Sequence, residues 1–119
     1  MGRIVHHKLV RDRIPEIIRA AGQDCATRGL TDTEYVPALL AKVLEEVRDL
    51  AEAAPAERIV ELGDVREALD ALMAAWGIDE GEVARIQAER REERGGFGTR
   101  IFLEWTEDGR ETPGHSPGE

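Results

Sequence analysis

The chain predicts an all-α domain with a four-helix-type core. Apolar residues recur at three- and four-residue intervals in two long stretches. Aromatics make up only 4% of a chain that is 41% hydrophobic, so the core must be Leu, Ile, Val and Ala, which suits packed helices better than a sheet. Capping residues, prolines and glycines stand where such helices would start and stop. A length of 119 residues fits one domain with one core.

The elements follow in order. Residues 3 to 14 mix Arg3, Lys8, Arg11 and Arg13 with Ile4, Val5, Leu9, Val10 and Ile14. Pro15 suits the first turn of a short helix that runs to about Ala21 and stops at Gly22. Residues 22 to 31 read as a loop. Thr31 and Glu34 form a capping box for a second helix, but Pro37 is tolerated only near a first turn, which favours a start nearer Thr33. The stripe of this helix is Val36, Leu40, Val43, Val47 and Leu50, and Pro55 ends it near Ala54. Pro55 also opens a third helix, with the stripe Ile59, Leu62, Val65, Leu69, Leu72, Met73 and Trp76 and a stop at Gly77. So short a connection dictates an antiparallel hairpin. Asp79 and Glu82 cap a fourth helix, from about Glu80 to Glu93, which Gly95-Gly96 breaks. Residues 99 to 105 are expected to form a short extended segment. The domain therefore spans 1–105. The polar, Gly- and Pro-rich stretch 106–119, with His115, is expected to be a disordered tail.

A net charge of −9 argues against broad nucleic-acid binding, which needs a basic surface. It leaves room for one nucleotide held by local cations. Cys25 is the single cysteine, so there is no internal disulfide and no Cys-rich zinc site. It has no evident His or Asp partner and is expected to be inert. With no signal peptide and no apolar run of bilayer length, the expectation is a cytoplasmic protein without a membrane partner.

Two acidic clusters carry most of the chemistry. Glu45-Glu46-Val47-Arg48-Asp49 and Glu61-Leu62-Gly63-Asp64 each place carboxylates three residues apart, on one face of a helix. Both pairs, Glu46/Asp49 and Glu61/Asp64, lie one position off the apolar stripes, at the edge of the buried face. An antiparallel hairpin can bring such edges together. Facing carboxylates repel unless cations neutralise them, and Mg²⁺ takes oxygen ligands and bridges substrate phosphates. The bland alternative is a solvated acidic face paired with Arg48, Arg58 and Arg66, and spacing alone favours it. Glu45 and Glu67 are open to other groupings.

A phosphate site also needs cations. Lys8 and Arg11 are three residues apart, as are Arg91 and Arg94 before Gly95-Gly96-Phe97. Taken alone, both sets read as surface charge or as cations at a helix C-terminus. The glycine pair lacks the length and the Lys-Ser/Thr of a P-loop. Trp76 fits the core, whereas Phe97 and Trp105 lie near loops and are open to stacking on a base.

Together these residues resemble the MazG-like all-α nucleoside triphosphate pyrophosphohydrolases. That superfamily carries Glu-Glu-x-x-Glu, a gap, then Glu-x-x-Asp. This chain has Glu45-Glu46-x-x-Asp49, eleven intervening residues, then Glu61-x-x-Asp64. The segments Lys8-Leu9-Val10-Arg11-Asp12-Arg13-Ile14-Pro15, Arg94-Gly95-Gly96-Phe97 and Arg100-Ile101-Phe102-Leu103 are similar to a phosphoribosyl-ATP pyrophosphohydrolase-like branch. The resemblance covers residues 5 to 105, and with it the site reading overtakes the solvated face.

The resemblance implies the four-helix-type core of the all-α NTP pyrophosphatase kind, homodimeric or homotetrameric. It implies Mg²⁺, or Mn²⁺, on Glu46, Asp49, Glu61 and Asp64, and Glu45 as a base or water-positioning group. It implies Arg91 and Arg94, and more weakly Lys8 and Arg11, as phosphate contacts. Asp49 departs from the family Glu by one methylene. The implied activity is hydrolysis of a nucleoside triphosphate between the α and β phosphates, in house-cleaning or nucleotide-pool control. Phosphoribosyl-ATP is the second reading. The chain lacks that enzyme's early Ser-Tyr-Thr, and Arg66-Glu67-Ala68 stand where it carries Tyr-His. A nucleotide-binding or regulatory module that has lost turnover, favoured by Asp49, and a plain helical interaction protein are the remaining alternatives.

Overall fold

The structure, a computed structural model, describes residues 2–108. Most of the expected tail, including His115, lies outside the described residues. The order of elements is α1 (Ile14–Ala20), α2 (Asp32–Glu52), a 3₁₀ turn (Pro55–Glu57), α3 (Arg58–Trp76) and α4 (Glu80–Arg94). Among the described residues there is no strand, and no helix is long and apolar enough to cross a membrane. The chain divides into two compact units between Val83 and Ala84.

In the first unit, α1 carries a proline in its opening turn and ends where Gly22 takes φ 85°. Such left-handed termination suits glycine. The α2 start corrects the sequence expectation. Thr31, not Thr33, is the N-cap, and Pro37 lies inside the helix. The Thr31 backbone N–H donates to Glu34 Oε1 at 3.0 Å, and Arg28 donates to both Glu34 oxygens at 3.0 and 2.9 Å. This cap outweighs the one amide that Pro37 withholds from the carbonyl a turn earlier. Arg28 first, then Thr31, pull the Glu34 carboxyl down to about 2.

Pro55 opens the 3₁₀ turn, and the turn leads directly into α3. Gly77 closes α3 at φ 66°, with the Ile78 N–H reaching back to the Met73 carbonyl at 2.9 Å. The two long helices pack as the expected antiparallel hairpin.

Their packed face follows the expected stripes in part: Leu72 is buried, and Val36, Val43, Leu50, Val65 and Met73 are half-buried. Leu39, Ala68 and Leu72 are its buried apolar residues, and Glu46 is buried with them at 8% exposure. Leu40, Val47, Leu62 and Leu69 from the predicted stripes are exposed, as is Trp76, which is not a core residue. The seam also takes in Leu39 and Ala68, the residues just before the exposed Leu40 and Leu69. Leu39, Glu46 and Ala68 face inward, Glu61 and Asp64 are half-buried, and apolar side chains face outward.

In the second unit, α4 ends at Arg94 and Gly95 takes φ 80°. A turn follows, closed by the Arg100 N–H on the Phe97 carbonyl at 3.1 Å. Residues 101–107 carry no regular structure, and Phe97, Ile101, Phe102 and Trp105 are exposed.

Candidate functional site

The end of the hairpin nearest the 3₁₀ turn gathers all five acids singled out in the sequence. Glu45, Glu46 and Asp49 form one group and Glu46, Glu61 and Asp64 another. Within each group one ligand oxygen per residue lies within 4.8 Å of the others. The three-residue spacing stacks the acids of each helix, and the antiparallel packing brings the two stacks together. Glu46 belongs to both groups.

The charge balance is uneven. Lys42 donates to Glu45 Oε2 at 3.3 Å and lies 3.1 Å from Glu46 Oε1, with only 18% of its side chain exposed. Lys8 reaches Glu45 Oε1 at 3.1 Å, and Arg11 donates to Asp64 Oδ1 at 2.7 Å. Partial removal from water works against the Glu45 charge, but the Lys8 hydrogen bond and the charge of Lys42 prevail and hold its carboxyl below the usual range. Lys42 is likewise disfavoured by burial, yet Glu46 and Glu45 raise its pKa. Glu61 is the opposite case. Partial desolvation, then the charges of Asp64, Asp49, Glu46 and Glu57, push its carboxyl up.

Lys42 is a site residue that the sequence reading misses. Its spacing of three and four residues before Glu45 and Glu46 is the available signal. Lys8, Arg11 and Lys42 partner the acids, rather than the Arg48, Arg58 and Arg66 of the solvated-face alternative; Lys8 and Arg11 thus meet carboxylates here, where the resemblance implies phosphates. Arg91 and Arg94 lie in the last turn of α4, in the second unit. Cys25 is half-buried, its Sγ 4.0 Å from the Pro15 carbonyl oxygen.

Beside the acids lies a groove of about 480 Å³. Residues Leu9 to Arg13 wall one side. Tyr35, Leu39, Ala68 and Ala71 line the hairpin side, and Lys42, Glu46, Asp64 and Glu67 add charge. Leu39 stands seven residues before Glu46 on α2, about 10 Å along the axis, so the groove runs from a charged end to an apolar one.

The donor set fits a hard divalent cation. Every side chain in both groups offers carboxylate oxygen, with no sulfur or imidazole among them, which suits Mg²⁺ or Mn²⁺.

No family model matches the chain, and no solved structure matches it. The chain is 50% identical over 56 residues to an uncharacterized protein of Mycolicibacterium smegmatis (strain ATCC 700084 / mc(2)155), a match covering 47% of this chain and 57% of that protein.

Proposed function

We propose that this protein is a Mg²⁺-dependent nucleoside triphosphate pyrophosphohydrolase, as its resemblance to the MazG-like enzymes implies. One observation carries the reading. Glu46 is buried in the seam of the hairpin, with Glu45, Glu61 and Asp64 half-buried and Asp49 exposed beside it, their oxygens within 4.8 Å of one another in two groups. A buried carboxylate with other carboxylates this close is costly unless a cation neutralises them, a cost that a fully solvated acidic face does not incur.

Glu46, Asp49, Glu61 and Asp64 would hold the cation. Bound Mg²⁺ supplies charge neutralisation on the phosphates and activation of water. Glu45, held by Lys42 on its own helix, is suited to orienting water. Arg11 lines the groove, and with Lys8 three residues before it would meet the phosphates. The apolar end of the groove, with Tyr35, is the place for the nucleoside. The exposed apolar face of α2 and α3 fits a homodimer or homotetramer that completes the core. Cytoplasmic location belongs to the same reading.

The test is a panel of normal and modified nucleoside triphosphates and phosphoribosyl-ATP, incubated with Mg²⁺ or Mn²⁺ and scored for pyrophosphate. Turnover of one class names the substrate. Metal binding without release from any of them favours a nucleotide-binding module in which the shorter Asp49 has cost turnover.

A further inference from the structure

We infer that residues 2–13 form a latch, fastened across the acidic end of the hairpin by Lys8 and Arg11, and that a divalent cation bound to the acids releases it. The release step rests on the metal reading above; the latch itself rests on the ion pairs.

Two cations three residues apart in the segment grip two different helices. Lys8 holds Glu45 on α2 at 3.1 Å and Arg11 holds Asp64 on α3 at 2.7 Å, so the segment straddles the hairpin. Beyond these pairs the segment is tied at its α1 end, where the Arg11 carbonyl accepts from the Ile14 N–H and the Arg13 carbonyl from the Ile17 N–H, both at 3.0 Å. Residues 2–8 are exposed, Leu9 and Val10 are half-buried, and no helix or strand precedes Ile14. His7, next to Lys8, takes φ 45°, a left-handed conformation that a side chain with a Cβ disfavours. The backbone is bent where Lys8 turns onto Glu45.

Both pairs are exposed, with side-chain exposures of 44% and 32% for Lys8 and Glu45 and 53% and 33% for Arg11 and Asp64. Exposed pairs of this kind are weak. A divalent cation on Glu45, Glu46 and Asp49, or on Glu46, Glu61 and Asp64, competes for the same oxygens and repels the ammonium and guanidinium beside them. Lys42 is tied to α2 by its own backbone and cannot leave with the segment. Leu9 to Arg13 wall the groove, so release widens it and frees Lys8 and Arg11 for an anionic ligand. The order of events is therefore cation first, anion second.

A nitroxide on Val10→Cys, half-buried between Lys8 and Arg11, in a Cys25→Ser background, reads the latch without any turnover. The expected spectrum is immobilised in the metal-free protein and sharpens with millimolar Mg²⁺. The double variant Lys8→Met/Arg11→Met should be mobile from the start, insensitive to Mg²⁺, and should bind Mg²⁺ between about twofold and about tenfold more tightly by calorimetry. A spectrum unchanged by Mg²⁺, with calorimetry showing binding, overturns the latch and leaves the metal reading standing. A mobile label in the metal-free unsubstituted segment also overturns the latch. Absence of binding in both proteins overturns the metal reading and the release step with it.

Discussion

The two ends of the α2–α3 hairpin obey different rules. At one end Leu39 and Leu72, with Ala68, are buried as sequence patterning would have core residues buried. At the other, Glu46 is buried beside half-exposed Glu61 and Asp64, and cations from two parts of the chain hold the charges in check. The first end contributes stability. The second consumes some of it, and Glu61, surrounded by like charge, is where the strain is most plainly registered. One buried carboxylate, Glu46, with three half-buried ones beside it, sets this end apart from the apolar one.

Breaking the apolar end should have the largest effect. Leu39→Ala, at a residue 2% exposed, is expected to cost about 2–5 kcal/mol in denaturant unfolding while leaving Mg²⁺ affinity of the folded protein unchanged. A parallel loss of affinity would mean the two ends are not separable.

Glu61→Gln tests the acidic end in the opposite sense. Loss of a metal ligand is expected to lower pyrophosphate release by about 100-fold or more, since even outer partners of a metal site cost about 10–100-fold. The metal-free variant should melt no lower than the unsubstituted chain, because a repelled charge has been removed. The sign with pH agrees. A carboxyl whose pKa is raised in the folded state loses stability as pH rises from its ordinary value through the raised one, and the Glu61→Gln variant should flatten that part of the curve. Full activity in this variant would remove Glu61 from the metal site.

Lys42→Met should cost about 1–3 kcal/mol, because Glu46 keeps its charge and loses its nearest cation. Adding Mg²⁺ should recover much of that loss in a thermal melt. A variant that melts equally with and without Mg²⁺ would argue that the acids do not take a cation.

The smallest effect belongs to a region outside both ends. Glu34 titrates at about 2 against an ordinary 4.5, so its contribution is present above pH 4.5 and is lost as pH falls toward 2. The pair with Arg28 is exposed, so Glu34→Gln should only slightly flatten an acid titration followed by helical circular dichroism.

Local signals make most of the fold legible. Thr31 and Glu34, Pro15, Pro55, Gly77 and Gly95 mark boundaries through backbone chemistry that acts within a few residues. The α2 start departs from its sequence expectation because two local rules conflict there, and only their relative strength decides. The phase of the seam is harder to read. Periodicity places Leu72, Val43, Leu50 and Val65 inward as found, but it does not foresee Leu40 and Leu69 exposed beside Leu39 and Ala68, or a buried Glu46. The acids themselves are legible from their spacing. Their cations are legible in part, since Lys42 is a same-helix neighbour but Lys8 and Arg11 lie 37 and 53 residues from their partners. No short-range rule reaches that far.

The outward leucines have one more consequence. With Leu44 66%, Leu62 53% and Ile59 78% exposed, little of this hairpin's apolar surface is shielded within one chain. If a second copy supplies the missing cover, acquiring the fold and finding a partner become a single mass-action event. Thermal midpoints would then climb with protein concentration, and dilution alone would unfold the chain.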